Sequence, residues 1–252
     1  MHLKSALAIL TAAAVTSVFA EYETLNVFGS IGPGFGIGGR HYQSTEVTDN
    51  NTTVTDRFFN YGSGLKFDVG CQYFMMENVA LQASFGYSAG FPFKQEIITD
   101  VSTLTTTFGR HVFGVKVQVV PRFEFLDLIN MYTGVGIGFF WNSRPFKTVS
   151  ETGIGGTRIT QEATGKITSK PTFGLLGQFG ADFPLNDNLT LFGELGFEQL
   201  RFNLSKFKVK ESSIPGITND TYLENDSDNM DPEKVPGSNF QIRVGVRYAI
   251  MR

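Results

Sequence analysis

Ten charged residues occupy alternating positions within segments that are otherwise apolar. Alternate side chains of a β-strand point to opposite faces, so this spacing places the charges on one face and the apolar residues on the other. The chemistry it predicts is ion pairing across the polar interior of a closed barrel. The predicted interior charges are Lys66, Asp68, Lys116, Arg122, Glu124, Asp182, Glu194, Glu198, Arg243 and Arg247.

Five of these residues are basic and five are acidic. Burying an unpaired charge is very unfavourable, whereas a hydrogen-bonded ion pair is tolerated. An eight-stranded barrel is just wide enough for side chains to fill it. We therefore expect a charge-paired, mostly closed interior. A narrow porin-like channel for ions or small solutes, lined by the same charges, is the alternative.

Residues for covalent or acid–base catalysis are scarce. Beyond the first 20 residues the only histidines are His41 and His111, whereas nucleophilic catalysis needs a nucleophile, a base and an orienting group held together. Ser84 and Ser88 belong to the predicted strand that comes before the strand of His111. They can contact His111 only if the pairing register places them beside it. We predict no catalytic, cofactor or metal site, with a lipid-modifying outer-membrane enzyme as the alternative.

The composition excludes two further classes. The 252 residues carry a formal net charge of −3 and a charged fraction of 18%, which does not provide the basic face that nucleic-acid binding requires. The single cysteine, Cys71, excludes an intramolecular disulfide framework. The chain is long enough for one large β domain or two small ones.

The first 20 residues have the features of a secretory signal peptide. Lys4 precedes an apolar run from Ala6 to Val15, and Val18-Phe19-Ala20 offers small or modest residues where a signal peptidase cleaves. The run is shorter than the roughly 20 residues of a spanning helix. We predict cleavage before Glu21, which leaves 21–252 as one barrel domain.

The elements that would position the interior charges are eight alternating segments. Each has the length scale of a tilted strand that crosses a bilayer. They predict an all-β fold, a closed antiparallel up-and-down transmembrane β-barrel of eight strands. The segments are 25–31, 65–73, 79–87, 113–125, 131–141, 173–183, 189–197 and 240–250.

Short and long connections alternate between these segments. The short ones are 75–78, 126–130 and 184–188, and the long polar ones are 37–60, 88–110, 142–170 and 203–238. Outer-membrane barrels have short periplasmic turns and long external loops, so we expect both termini in the periplasm.

Two of the long connections read as polar β-hairpins. One turns at Asp49-Asn50-Asn51, and the other turns within 153–156. We expect them to extend the barrel strands beyond the bilayer. If one of them entered the membrane instead, the barrel would have ten strands.

The last segment carries a recognisable order of residue types: polar, any, Gly, any, any, aromatic, any, aromatic. It maps onto Arg243, Gly245, Tyr248 and Ile250, with aliphatic Ile250 where an aromatic residue is usual. In this order and in its strand pattern, the chain resembles the small outer-membrane β-barrels typified by the transmembrane domain of outer-membrane protein A. The resemblance implies a bacterial, Gram-negative outer-membrane location.

The resemblance also implies partners. They are outer-membrane lipids and, during biogenesis, the barrel-insertion machinery and periplasmic chaperones. The function expected from the whole pattern is an envelope-structural or surface-interaction role, in which the external loops contact an unidentified surface ligand.

Overall fold

The computed structural model describes residues 24–48, 51–126, 129–154, 157–214, 222–224 and 234–251. The predicted signal peptide and its cleavage site lie outside these ranges. Among the residues described, no helix is long and apolar enough to cross a membrane. The described strands are β1 (Leu25–Gly36), β2 (Arg40–Thr48), β3 (Asn51–Phe59), β4 (Gly64–Met76), β5 (Val79–Ile98), β6 (Ser102–Leu126), β7 (Ile129–Ile154), β8 (Thr157–Ser169), β9 (Thr172–Pro184), β10 (Leu189–Gln199), β11 (Arg201–Ser212), β12 (Tyr222–Glu224), β13 (Lys234–Pro236) and β14 (Asn239–Met251).

Eight of these strands close into an antiparallel ring. Its order is β1, β4, β5, β6, β7, β9, β10 and β14, and β14 pairs again with β1. Each ring strand contains one of the eight segments predicted from the sequence, so the predicted fold class is confirmed. The ten-strand alternative is wrong, because β2, β3 and β8 lie outside the ring.

The pairing register fixes the tilt of the strands. Starting at Asn26 on β1 and moving from each residue to its paired residue on the next strand, one circuit of the ring returns to β1 at Gly36. The strands are therefore offset by ten residues around the barrel. With a rise of about 3.3 Å per residue and a strand spacing of about 4.7 Å, this offset corresponds to a tilt of about 40°. Such a tilt is usual for closed barrels.

The two faces of the ring differ in polarity. Aliphatic and aromatic side chains are exposed on the outer face, whereas polar and charged side chains are buried inside. This is the arrangement of a transmembrane barrel, whose apolar outer face contacts lipid. Representative outward residues are Val69, Val117, Ile137, Leu175, Val244 and Val246.

An arc of aromatic rings marks one limit of the apolar surface. Tyr87 packs against Phe113 with ring centroids 5.1 Å apart, and Phe113 stacks on Trp141 at 6.3 Å. The arc continues to Phe67 on one side and, through Phe139, to Phe173 on the other. Tyrosine and tryptophan concentrate at membrane–water interfaces, so this arc places one interface.

Several strands continue well beyond that arc. β5, β6 and β7 extend past Tyr87, Phe113 and Trp141, and β8 pairs with both β7 and β11. We call this extension of β5–β8 and β11 the wall. The barrel end beside it is the wall end. The opposite end, where β1 begins, β14 ends and the short turns lie, is the turn end. The two predicted hairpins are confirmed, with β2 pairing β3 and β7 pairing β8.

Candidate functional site

The structure places nine of the ten predicted charges on the inner face of the barrel. Arg122 is partly buried, and eight residues are almost fully buried: Lys66, Asp68, Lys116, Asp182, Glu194, Glu198, Arg243 and Arg247. Glu124 is exposed, so it does not belong to the buried interior charges as predicted. It lies at the rim beside the β6–β7 turn and keeps the inward parity of β6, since it pairs with Asn130, which pairs with the buried Asp182.

Six of the buried charges form a network with three cations and three anions. The Glu198 carboxylate accepts from Lys66 Nζ at 2.7 Å, and its other oxygen lies 2.7 Å from Lys116 Nζ. Lys116 Nζ also lies 2.8 Å from Asp68. We call these residues, together with Arg243 and Glu194, the balanced network.

Arg243 connects the carboxylates of Asp68 and Glu194 within this network. Its guanidinium group donates to Asp68 and to Glu194, which also accepts from the Tyr132 hydroxyl at 3.0 Å. Glu198 lies opposite Asn239 on β14 and within reach of the two lysines of the network.

The other two arginines share one carboxylate nearer the turn end. Arg247 donates to Asp182, and Arg122 Nη2 lies 3.0 Å from the second Asp182 oxygen. Arg122 also donates to Gln72 at 2.8 Å. Aromatic faces hold both guanidinium groups, with Arg247 Cζ 4.0 Å from the ring centroid of Phe192 and Arg122 Cζ 4.5 Å from that of Phe74.

A buried apolar cluster closes the wall end. It comprises Phe59, Tyr61, Val112, Phe140, Leu176, Leu200, Phe202, Leu204 and Val235. Phe59 is the last residue of β3, and Tyr61 follows in the connection to β4. Asn60 secures that connection by donating to the carbonyl oxygens of Ile37 and Gly38.

Two arginines that the sequence analysis missed support this closure. Arg110 donates to the carbonyl oxygens of Asn60 and Phe91. Arg144 Cζ lies 4.3 Å from the ring centroid of Phe59. Burial lowers the pKa of the Arg110 guanidinium. Both residues lie at the inward-facing alternate positions of β6 and β7. Extending the alternation beyond the predicted apolar segments would therefore have identified them.

The inner layers leave little space for water. The cavity beside Lys66, Asp68, Lys116 and Glu198 has a volume of about 10 Å³, which is no more than one water molecule requires. Buried charge pairs therefore occupy the barrel interior beside this cavity, and the apolar cluster lies beyond them at the wall end.

The possible catalytic residues do not come together. His111 lies on the outer face, where its Nδ1 is 2.8 Å from the Tyr87 hydroxyl. Ser84 and Ser88 are buried on the inner face, so the sheet separates them from His111. The side chain of His41 lies outside the described part of the chain. No group of three or more His, Cys, Asp or Glu residues that could hold a metal occurs among the described residues.

The residues of the predicted assembly signal occupy both faces of β14. Tyr248 and Ile250 are exposed on the outer face near the turn end, and Arg243 points inward. Gly245 has a packing reason to lack a side chain, since an added Cβ would clash with the backbone oxygen of Gly29 and the ring of Phe192. Whether the insertion machinery reads these residues stays a prediction.

Comparisons with known proteins concern the fold. No family model and no curated protein matches the chain. The outer membrane protein OprG from Pseudomonas aeruginosa is 10% identical with a TM-score of 0.46, over 92% of this chain and 97% of that chain. Neisserial surface protein A is 8% identical with a TM-score of 0.40, over 90% and 96%.

A third solved structure is Ail, the attachment invasion locus protein of Yersinia pestis. It is 10% identical with a TM-score of 0.35, over 90% of this chain and 99% of that chain. The fold of this chain, an eight-stranded outer-membrane-type β-barrel, follows from its own closed antiparallel ring and apolar outer face. The more specific resemblance to outer-membrane protein A stays a prediction.

Proposed function

We propose that this protein is a non-conducting outer-membrane barrel that anchors a rigid external β-wall for surface interaction. The observation that carries the proposal is the combination of a filled interior with strands that continue far beyond the aromatic arc. A filled barrel offers solutes no path through the membrane. The large number of residues that form the wall is therefore better explained by a role outside the membrane. The wall end faces the exterior and both termini face the periplasm.

The chemistry of the wall supports an aqueous location. Exposed ion pairs join its strands, with Lys147 Nζ 2.8 Å from Glu162 and Arg158 3.4 Å from Glu151. The hydroxyl groups of Thr106 and Thr148 lie 3.1 Å apart across β6 and β7. Charged groups facing lipid are costly, so these strands belong in water, where loops on a rigid scaffold commonly bind partners.

A matched truncation tests the role of the wall. One rung of paired residues crosses four of its strands, namely Glu96, Thr105, Val149 and Glu162. The truncated form lacks 97–104 and 150–161, and each gap is closed with Asn-Gly, which suits a two-residue turn. The β5–β6 and β7–β8 hairpins then end at the same height.

Bacterial cells that express either form are compared for attachment to immobilised extracellular-matrix proteins and for settling through cell–cell contact. We expect full-length protein to raise attachment or settling above the empty-vector level and the truncated form to return it to that level. Equal surface amounts and equal heat-dependent gel mobility serve as the control. If both forms behave alike, the wall is not the functional surface.

A further inference from the structure

The turn end contains a cavity that the surface role does not use. Its volume is about 330 Å³, and Arg122 and Arg247 contribute to its inner lining. Asn26 and Thr190 line its sides, and the exposed residues Glu77 and Asp187 lie at its mouth. We call it the turn-end vestibule.

The charges at the base of the vestibule do not balance. The balanced network beyond it has three cations and three anions, whereas Asp182 is the only carboxylate among the described residues that pairs with Arg122 and Arg247. Glu124, which the strand parity would place near them, is exposed instead. One positive charge therefore remains in excess at a largely buried position, which is costly without a counter-charge.

Hydrogen-bond donors at the same place are unused. The Nε atoms of Arg122 and Arg247 are buried and have no hydrogen-bond partner. Arg247 is only 2% exposed, and the Phe192 and Tyr132 rings fix its guanidinium group. The carboxylates of Glu77 and Asp187 are in water, where dielectric screening weakens their effect on the base of the vestibule.

We propose that the turn-end vestibule binds a small oxyanion, a carboxylate or phosphate group, between Arg122 and Arg247. Guanidinium groups are well suited to such anions, because their planar N–H donors match two oxygens at once. The Asn26 amide and the Thr190 hydroxyl offer further donors on the sides of the cavity. The anion would neutralise the excess positive charge at the base of the vestibule.

The test follows the Nε–H resonances of individual arginines by NMR in the refolded full-length barrel in a nonionic detergent. Sodium acetate or sodium phosphate is titrated at an ionic strength held constant with sodium chloride. We expect saturable shifts at Arg122 and Arg247. Arg243 is the internal reference, because its Nε is also buried without a partner but lies in the balanced network.

Two variants make the test specific. Arg122→Gln should lower the affinity roughly tenfold or more, since a charge-assisted hydrogen bond is lost. Lys94→Gln removes the same charge on the wall and should leave the affinity unchanged. A response to acetate alone identifies a carboxylate ligand, and a response to phosphate alone identifies a phosphate ligand.

Shifts at Arg122 and Arg247 that do not saturate, or that are no larger than those at Arg243, would overturn the proposal. If Arg122→Gln fails to refold, the wild-type titration still shows whether the vestibule binds the anion, because Arg243 serves as the reference within the same molecule.

Discussion

Replacing Arg243 by methionine should destabilise the barrel strongly. Arg243 is 6% exposed and holds the carboxylates of Asp68 and Glu194. Its loss leaves Asp68 with Lys116, but leaves Glu194 with only the Tyr132 hydroxyl. Breaking a buried pair from one side typically costs about 3–5 kcal/mol, and we expect a loss of unfolding free energy in that range.

The double variant Arg243→Met with Glu194→Gln separates the ion pair from general packing. It leaves no unpaired carboxylate at that position, so we expect it to recover about half or more of the loss. Lys147→Met is the matched control. It breaks a half-exposed pair with Glu162 on the wall and should cost only about 0–1 kcal/mol.

The assay is denaturant unfolding of protein refolded into lipid vesicles, followed by the fluorescence of Trp141 and by heat-dependent gel mobility. Two results would refute the reasoning. One is a loss for Arg243→Met no larger than that for Lys147→Met. The other is a double variant that is no more stable than the single one.

Three further outcomes are expected from the outer face and the topology. Val246→Arg puts a charge on the lipid face and should cost about 2–4 kcal/mol if the residue lies near the bilayer midplane, whereas Val246→Leu should be nearly neutral in the same unfolding assay. Tyr248→Ala should reduce the amount of assembled protein in cells, seen on unboiled gels, more than it reduces the stability of refolded barrel. An epitope tag inserted at Gly153 should bind antibody on intact cells, and a tag at Glu77-Asn78 only after the outer membrane is permeabilised; the reverse labelling would contradict the orientation.

Local alternation was sufficient to predict the ring strands and which of their faces is charged. It works because side chains alternate strictly along a strand and because lipid demands an apolar outer face. Val246 and Arg243 therefore have the predicted facing. The prediction of a buried position failed at Glu124, which keeps the inward parity of β6 but is exposed at the rim beside the β6–β7 turn.

The partners of each charge could not be predicted from the same pattern. Pairing depends on the offset that accumulates around the whole ring, and no single strand contains that information. Arg247 on β14 thus pairs with Asp182 on β9, two strands away around the ring. The closure by Phe59 and Tyr61 was missed for a similar reason, since these rings lie in a mostly polar connection and are buried only because tertiary contacts fold them inward.

The conductance of the refolded full-length protein in a planar lipid bilayer tests the closed interior most directly. Among the described residues, the balanced network and the apolar cluster fill the interior between the turn-end vestibule and the wall end. On the proposed function, a membrane with inserted protein should therefore carry no steady current under an applied voltage. Insertion is verified on the same preparation in vesicles, by protection of the barrel from protease. Long-lived, voltage-stable openings of uniform size would contradict the account, because they require a continuous aqueous path through the balanced network and the apolar cluster.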